Sequence, residues 1–231
     1  MTENEKIPIF KITIVGESGV GKTCIISRFV ENEFNPNTPS TLNATFYSKE
    51  LEYEDLDNAA IRFDIWDTTG QEKYRSLSKI FYRDSRATIM VYDSTDRKSF
   101  EEIKNYWYSQ IKQNSIDNVV LAIAANKSDL YEKEEVKPNE GKEFAKEIGA
   151  IFKIVSALSG AGIVDLFKFI GYKLLDPNFD IYNENVKITE ENIIQVRNTL
   201  KDYNDIKKER DTINLNKKDE KNEKQKSKKC C

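Results

Sequence analysis

Histidine is missing from this chain of 231 residues. Without it there is no Ser-His-Asp triad, no Cys-His nucleophile pair and no His-ligated zinc site. Cysteine is scarce, with Cys24, Cys230 and Cys231 the whole supply. Three thiols, two of them adjacent, make neither a disulfide framework nor a four-cysteine metal site, and they point to a reducing compartment. Long apolar runs are missing too. The longest, VVLAIAA at 119–125, falls far short of the roughly 20 residues that a membrane-spanning helix needs. The N-terminus, MTENEKIPIF, has no basic region leading into an apolar stretch, so no secretory signal is expected. Nor is positive charge in excess: the net charge is −3, which argues against a nucleic-acid partner. What is present, 39% hydrophobic and 32% charged residues, suits one sizeable domain with a heavily charged surface, plus a tail.

Short apolar runs alternate with helical periods. FKITIVG (10–16) reads as a buried strand and GKTCIISRFVENEF (21–34) as a helix. ATFYSKELEY (44–53) and AAIRFDIWD (59–67) read as strands joined by the polar turn EDLDN. RATIMVYD (86–93), NVVLAIAANKSD (118–129) and AIFKIVSA (150–157) are further strands that end in polar residues. KSFEEIKNYWYSQIKQ (98–113) puts Phe100, Ile103, Trp107 and Ile111 on one helical face. PNEGKEFAKEIG (138–149) starts on proline and stops at glycine, and AGIVDLFKFIGYKLL (161–175) is a last helix. The alternation predicts an α/β fold whose mostly parallel sheet is covered by helices on both faces. Such sheets bind ligands at the carboxyl ends of their strands. Beyond Leu175 the chain turns polar and loses any strand pattern, and it is expected to be a largely disordered tail. A narrow helical stripe, Ile193, Val196, Leu200 and Tyr203, is the alternative for part of it.

GESGVGKT (16–23) fits a phosphate-binding loop between a strand and a helix. Its glycines let backbone N–H groups curl around a polyphosphate, Lys22 reaches the β- and γ-phosphates, and the Thr23 hydroxyl suits Mg²⁺. The loop alone leaves kinases and ATPases open. NKSD (126–129) follows a strand, and a carboxylate at Asp129 can accept from both the N1–H and the 2-amino group of guanine. Adenine has neither donor there and would leave that carboxylate unpaired. Asn126 braces the loop and touches the purine, the Lys127 stem lies along the base, and the Ala157 N–H in SAL (156–158) can donate to guanine O6. WDTTGQE (66–72) supplies Asp67 for Mg²⁺, a Gly70 N–H for the γ-phosphate and Gln71 to orient a water. Thr41, in the segment between, is the candidate second hydroxyl on Mg²⁺, held only while the γ-phosphate is present.

Together GESGVGKT, Thr41, WDTTGQE, NKSD and SAL resemble the Ras-like small GTPases. IRFDIWDTTGQEKYRSLS, FYRDSRATIMVYDSTDRKSFEEI and LNATF (42–46) are more closely similar to the Rab family. The resemblance implies a P-loop GTPase fold with a six-stranded sheet over residues 9–175, an N-terminal extension at 1–8, and a hypervariable tail at 176–231. It implies GTP/GDP cycling with Mg²⁺ held through Thr23, Thr41 and Asp67. Nucleotide contacts carry over onto Ser18, Gly19, Val20, Gly21, Lys22, Thr23, Cys24, Phe34, Thr41, Gly70, Asn126, Lys127, Asp129, Ser156, Ala157 and Leu158, with Gln71 catalytic. Phe34 reads equally as a base-edge aromatic or a core residue. Phe46, Trp66 and Phe81 match effector-contacting aromatics and could equally be core. Asn43 and Asp84-Ser85 stand where glycine and Gly-Ala are usual, Thr69 replaces an alanine, and Leu158 replaces a lysine. Implied partners are an exchange factor, a GTPase-activating protein, prenylation and delivery proteins, and GTP-selective effectors, around a monomer. Terminal Cys230 and Cys231 are then prenylation sites, downstream of Lys217, Lys218, Lys221, Lys224, Lys226, Lys228 and Lys229, which leave residues 217–229 at net +4. That composition suits a lipid anchor on the cytoplasmic face of an intracellular membrane, cycling with the cytosol. The competing reading is a GTP-binding scaffold with little intrinsic hydrolysis, which Asn43 and Thr69 keep open.

Overall fold

The computed structural model describes residues 7–41, 44–56, 58–68 and 79–182. Asn43, Thr69, Gly70, Gln71, the 1–6 part of the expected N-terminal extension, the 193–203 stripe and the terminal cysteines lie outside them.

Six strands form one sheet in the order β2-β3-β1-β4-β5-β6. They are β1 (Ile9–Val15), β2 (Thr45–Tyr53), β3 (Ala59–Asp67), β4 (Ala87–Asp93), β5 (Val120–Asn126) and β6 (Ile151–Ile154). Only β2 runs antiparallel, paired with β3 from Thr45–Asp67 to Tyr53–Ala59. The other pairs are parallel, so β1, β3, β4, β5 and β6 all end at one edge. The mostly parallel α/β architecture expected from the alternation is the one observed.

Strand residues two apart share a face, and the two faces of the sheet have separate cores. Ile12 and Ile14, Ile89 and Val91, and Ala122 and Ala124 point to one side, where α1 (Lys22–Glu31) and α6 (Ile163–Leu175) cover them with Ile25, Ile26, Phe29, Leu166, Phe167 and Ile170. Met90 and Tyr92, Ile123 and Ala125 point to the other. There Phe100, Ile103, Trp107 and Ile111 pack beside Phe144 and Ala145 of α5 (Pro138–Glu147). The predicted single helix over 98–113 is a continuous rod in three parts: α3 (Arg97–Glu102), one π turn (Ile103–Trp107) and α4 (Tyr108–Asn114). All four residues of its predicted face are buried. The short α2 (Lys79–Tyr82) precedes β4. Asp84, standing where glycine is usual in similar chains, keeps the left-handed backbone, with φ 61°. Its neighbour Ser85 is buried and shares a 2.6 Å hydrogen bond with Thr13.

Two segments outside the regular elements pack onto the body. In the β2–β3 connection Leu56 is buried beside Tyr53 at the end of β2, and Asp55 accepts a 2.6 Å hydrogen bond from Tyr172 of α6. Packing also continues past α6. The chain doubles back at Asp176, and Phe179 is buried against Tyr172 (5.0 Å, stacked) and Phe169 (5.9 Å, edge-on). Lys173 holds this reversal by donating to the carbonyls of Pro177 (2.6 Å) and Phe179 (2.9 Å).

Candidate functional site

The loops leaving the parallel strands enclose a cleft of about 480 Å³. One wall is the phosphate loop with Ser18, Gly19, Gly21, Lys22, Thr23 and Cys24, and a second runs from Phe34 to Thr41. The floor at the far end is Asn126, Lys127, Asp129, Ala157 and Leu158. Most of the predicted nucleotide contacts thus come together in one place. Val20 is buried beneath the loop, and Ser156 supports the far end from below.

Two glycines make the loop possible. Gly16 has φ +141°, and a Cβ on it would run into the Val91 carbonyl; Gly21 has φ +94°, and a Cβ there would meet the Asn126 amide. Gly21 also caps α1, so the helix opens with its free N–H groups facing the cleft, the arrangement that binds phosphate. Lys22, the first helical residue, is buried, and its ammonium donates to the carbonyls of Gly16 (2.9 Å) and Glu17 (2.8 Å). Burial pushes its pKa down to about 8, against the opposing pull of Asp67 and Glu17.

Three oxygen groups meet beside it. Thr23 Oγ1 donates to Asp67 Oδ2 at 2.6 Å and lies 2.7 Å from Thr41 Oγ1, while Thr41 donates to the same Asp67 oxygen at 3.5 Å. Asp67 is fully buried, its Oδ1 has no hydrogen-bond partner among the described residues, and desolvation raises its pKa. One carboxylate and two hydroxyls are hard oxygen donors, too few for a closed cage, so they suit Mg²⁺, which takes its remaining ligands from phosphate and water. The residues fit the ion.

At the other end one amide ties three loops. Asn126 Nδ2 donates to the Val20 carbonyl (2.8 Å), and its Oδ1 accepts from the Ala157 N–H (3.1 Å). The bracing role expected of Asn126 is therefore present. The Ala157 N–H, expected to meet guanine O6, is the donor to that amide oxygen. Asp129 accepts a 2.5 Å hydrogen bond from Ser156 Oγ. Lys127, in the left-handed conformation, pairs with Asp93 at 2.6 Å. Phe34 is half-buried: it packs against the core and also lines the cleft. Leu158 is exposed at the rim.

Two contributors escaped the sequence reading. Asp93 pins Lys127 and is itself fixed by the Thr95 N–H (2.9 Å) and hydroxyl (2.7 Å). Its position at a polar strand end was the available signal. Arg28, one helical turn past the phosphate loop, donates to the carbonyls of Ala157 (3.0 Å) and Leu158 (2.9 Å) and so holds the base loop onto α1. No local pattern announces that contact. Arg28→Ala should speed GDP release several-fold and cost about 1–2 kcal/mol of stability, checked by displacement of a fluorescent GDP analogue and by urea unfolding.

Away from the cleft, Phe46, Trp66 and Phe81 form a continuous aromatic row on the β2–β3 side. Phe46 is half exposed and meets Trp66 edge-on at 5.7 Å, and Trp66 lies 5.8 Å from Phe81. The Lys11 ammonium stands 5.6 Å over the Trp66 ring.

The model of the Ras family matches residues 11–176. Ras-related protein Rab-22A of Homo sapiens is 42% identical over 157 residues, covering 68% of this chain and 79% of that protein. Putative ras-related protein Rab-5B of Dictyostelium discoideum is 44% identical over 168 residues, 72% and 76% of the two chains. Ras-related protein Rab-31 of Homo sapiens is 38% identical over 180 residues, 77% and 90%.

Proposed function

The chain belongs to the Ras family, among its Rab proteins, and hydrolyses GTP as they do; from that premise we propose a membrane-anchored switch in which nucleotide state is read at Thr41 and Gly70. It is a small GTPase of vesicle trafficking that binds GTP and GDP. The finer assignments are as follows. Thr23, Thr41 and Asp67 hold Mg²⁺, and Lys22 meets the β- and γ-phosphates. Asp129 reads guanine, with Asn126 and Lys127 framing it. Gln71 orients the attacking water. The ion, when bound, neutralises charge developing between the β- and γ-phosphates; Thr41 reports its γ-phosphate partner and lets go after hydrolysis.

One observation supports this reading above the others. Thr41 and Thr23, 18 residues apart, converge on the single oxygen Asp67 Oδ2, so that the γ-phosphate sensor segment, the phosphate loop and a strand end share one ion position. Exchange factors, GTPase-activating proteins and GTP-selective effectors are the corresponding partner classes, with Phe46, Trp66 and Phe81 as the effector row. Cys230 and Cys231, carrying two prenyl chains installed by prenylation and delivery proteins, are the anchor. One chain alone binds membrane only marginally.

The test is single-turnover hydrolysis on GTP-loaded protein with Mg²⁺, beside Gln71→Leu. Wild-type protein is expected to convert bound GTP over hours, on the order of 10⁻⁴ s⁻¹, and the substitution to slow it at least about tenfold. Equal rates in the two proteins would remove Gln71 from the mechanism. Bound GTP that persists unchanged in both, even with an activating protein, would favour the scaffold.

A further inference from the structure

The phosphate loop is held near its end by the guanine loop and near its start by a different element. Asn126 takes the Val20 carbonyl near its end. Near its start, the Trp107 indole N–H donates to Glu17 Oε1 at 3.0 Å. Trp107 is buried and comes from the rod on the opposite face of the sheet. It is the last residue of the π turn, where the Tyr108 N–H reaches back to the Ile103 carbonyl. π turns interrupt helices chiefly at functional sites. This one coincides with the point where the helix touches the loop.

Glu17 is the loop residue whose grip matters most. Its carbonyl, with that of Gly16, accepts the Lys22 ammonium. The backbone around it is glycine-rich, with positive φ at Gly16, Gly19 and Gly21, so backbone preference alone restrains it weakly. A side-chain anchor on Glu17 therefore fixes the carbonyl that fixes Lys22.

We propose that Trp107 is a positioning residue for nucleotide binding, acting through Glu17 to hold the start of the phosphate loop and with it Lys22. This rests on the reading of that loop as the phosphate site.

The test is a double-mutant cycle on the full chain, read as the dissociation rate of a fluorescent GDP analogue, with thermal unfolding of each variant alongside. Trp107→Phe keeps an aromatic ring in the core and deletes the donor. Glu17→Ala deletes the acceptor and leaves the core intact. Each is expected to speed release about tenfold to a hundredfold, the loss of one hydrogen bond to a charged group. The double variant should release no faster than either alone. Additive effects, or a Trp107→Phe that lowers the unfolding temperature without changing release, would overturn the proposal. Should Trp107→Phe fail to fold, Glu17→Ala decides alone, and an unchanged release rate there overturns it. Slow release from the wild-type protein checks the phosphate-site reading independently, since a chain that holds no GDP fails before the cycle begins.

Discussion

Asp129→Asn is expected to weaken GDP binding by about 100-fold to 10,000-fold. The carboxylate offers two acceptors to the N1–H and 2-amino donors of guanine, and hydrogen bonds to a charged group contribute about 1.5–3 kcal/mol each. An amide keeps one acceptor and turns the other position into a donor facing the 2-amino group. The same change should improve binding of xanthosine diphosphate, which carries a carbonyl where guanine has that amine, so the preference should invert. Titration of both nucleotides against both proteins measures it. GDP affinity within about threefold of wild type would mean that Asp129 does not read the base. The hydrogen bond from Ser156 to Asp129 Oδ1 orients the carboxylate, and the asparagine can keep it through its own carbonyl. The contrast then isolates recognition from folding.

Lys22→Met should lower two properties at once. Nucleotide affinity should fall at least about 100-fold, because a charge-assisted contact to phosphate is lost. The nucleotide-free protein should become less dependent on pH. Lys22 has its pKa pushed down from 10.5 to about 8 by burial. Between those values the unfolded chain binds more protons than the folded one, so stability rises with pH across that window. The cost of burying the charge is fully present below pH 8 and is relieved toward pH 10.5. From pH 7 to pH 10 the wild-type protein should gain about 2–3 kcal/mol relative to Lys22→Met. The comparison must stop near pH 10, because Tyr53, Tyr92 and Tyr172 have raised pKa values and destabilise the fold beyond it as they are forced to ionise. A flat difference between the two unfolding curves would mean that the ammonium is better solvated than its burial indicates. GDP should flatten it in any case, by supplying the counter-charge.

Local pattern made the strands legible. β2 and β3 begin and end within a residue of their expected bounds, since period-two alternation and polar turns mark both limits. The phosphate loop was legible for a similar reason: Gly16 and Gly21 are forced by contacts that no other residue tolerates. What sequence hid were pairings between distant positions. Arg28 with the base loop and Asp93 with Lys127 depend on the sheet bringing remote segments together. The π turn was hidden because Phe100, Ile103, Trp107 and Ile111 keep ordinary helical spacing straight through it. Phe179 and Ile181, two apolar residues in a polar stretch, are too few to show a period, and only the folded core gives them something to pack on.

That reversal after α6 has a mechanical consequence. Phe179 lies back along the helix it has just left, so a force drawing the chain outward beyond Tyr182 acts on its contacts one after another, as in peeling tape, rather than all at once. The stacked Tyr172 ring and the two Lys173 bonds would yield in sequence before any load reached the sheet. Seven residues pulled straight at about 3.4 Å each release roughly 20 Å of slack. A domain pulled from beyond Tyr182 thus has a short extensible leader, and the cleft at the far edge of the strands stays unstrained while it pays out.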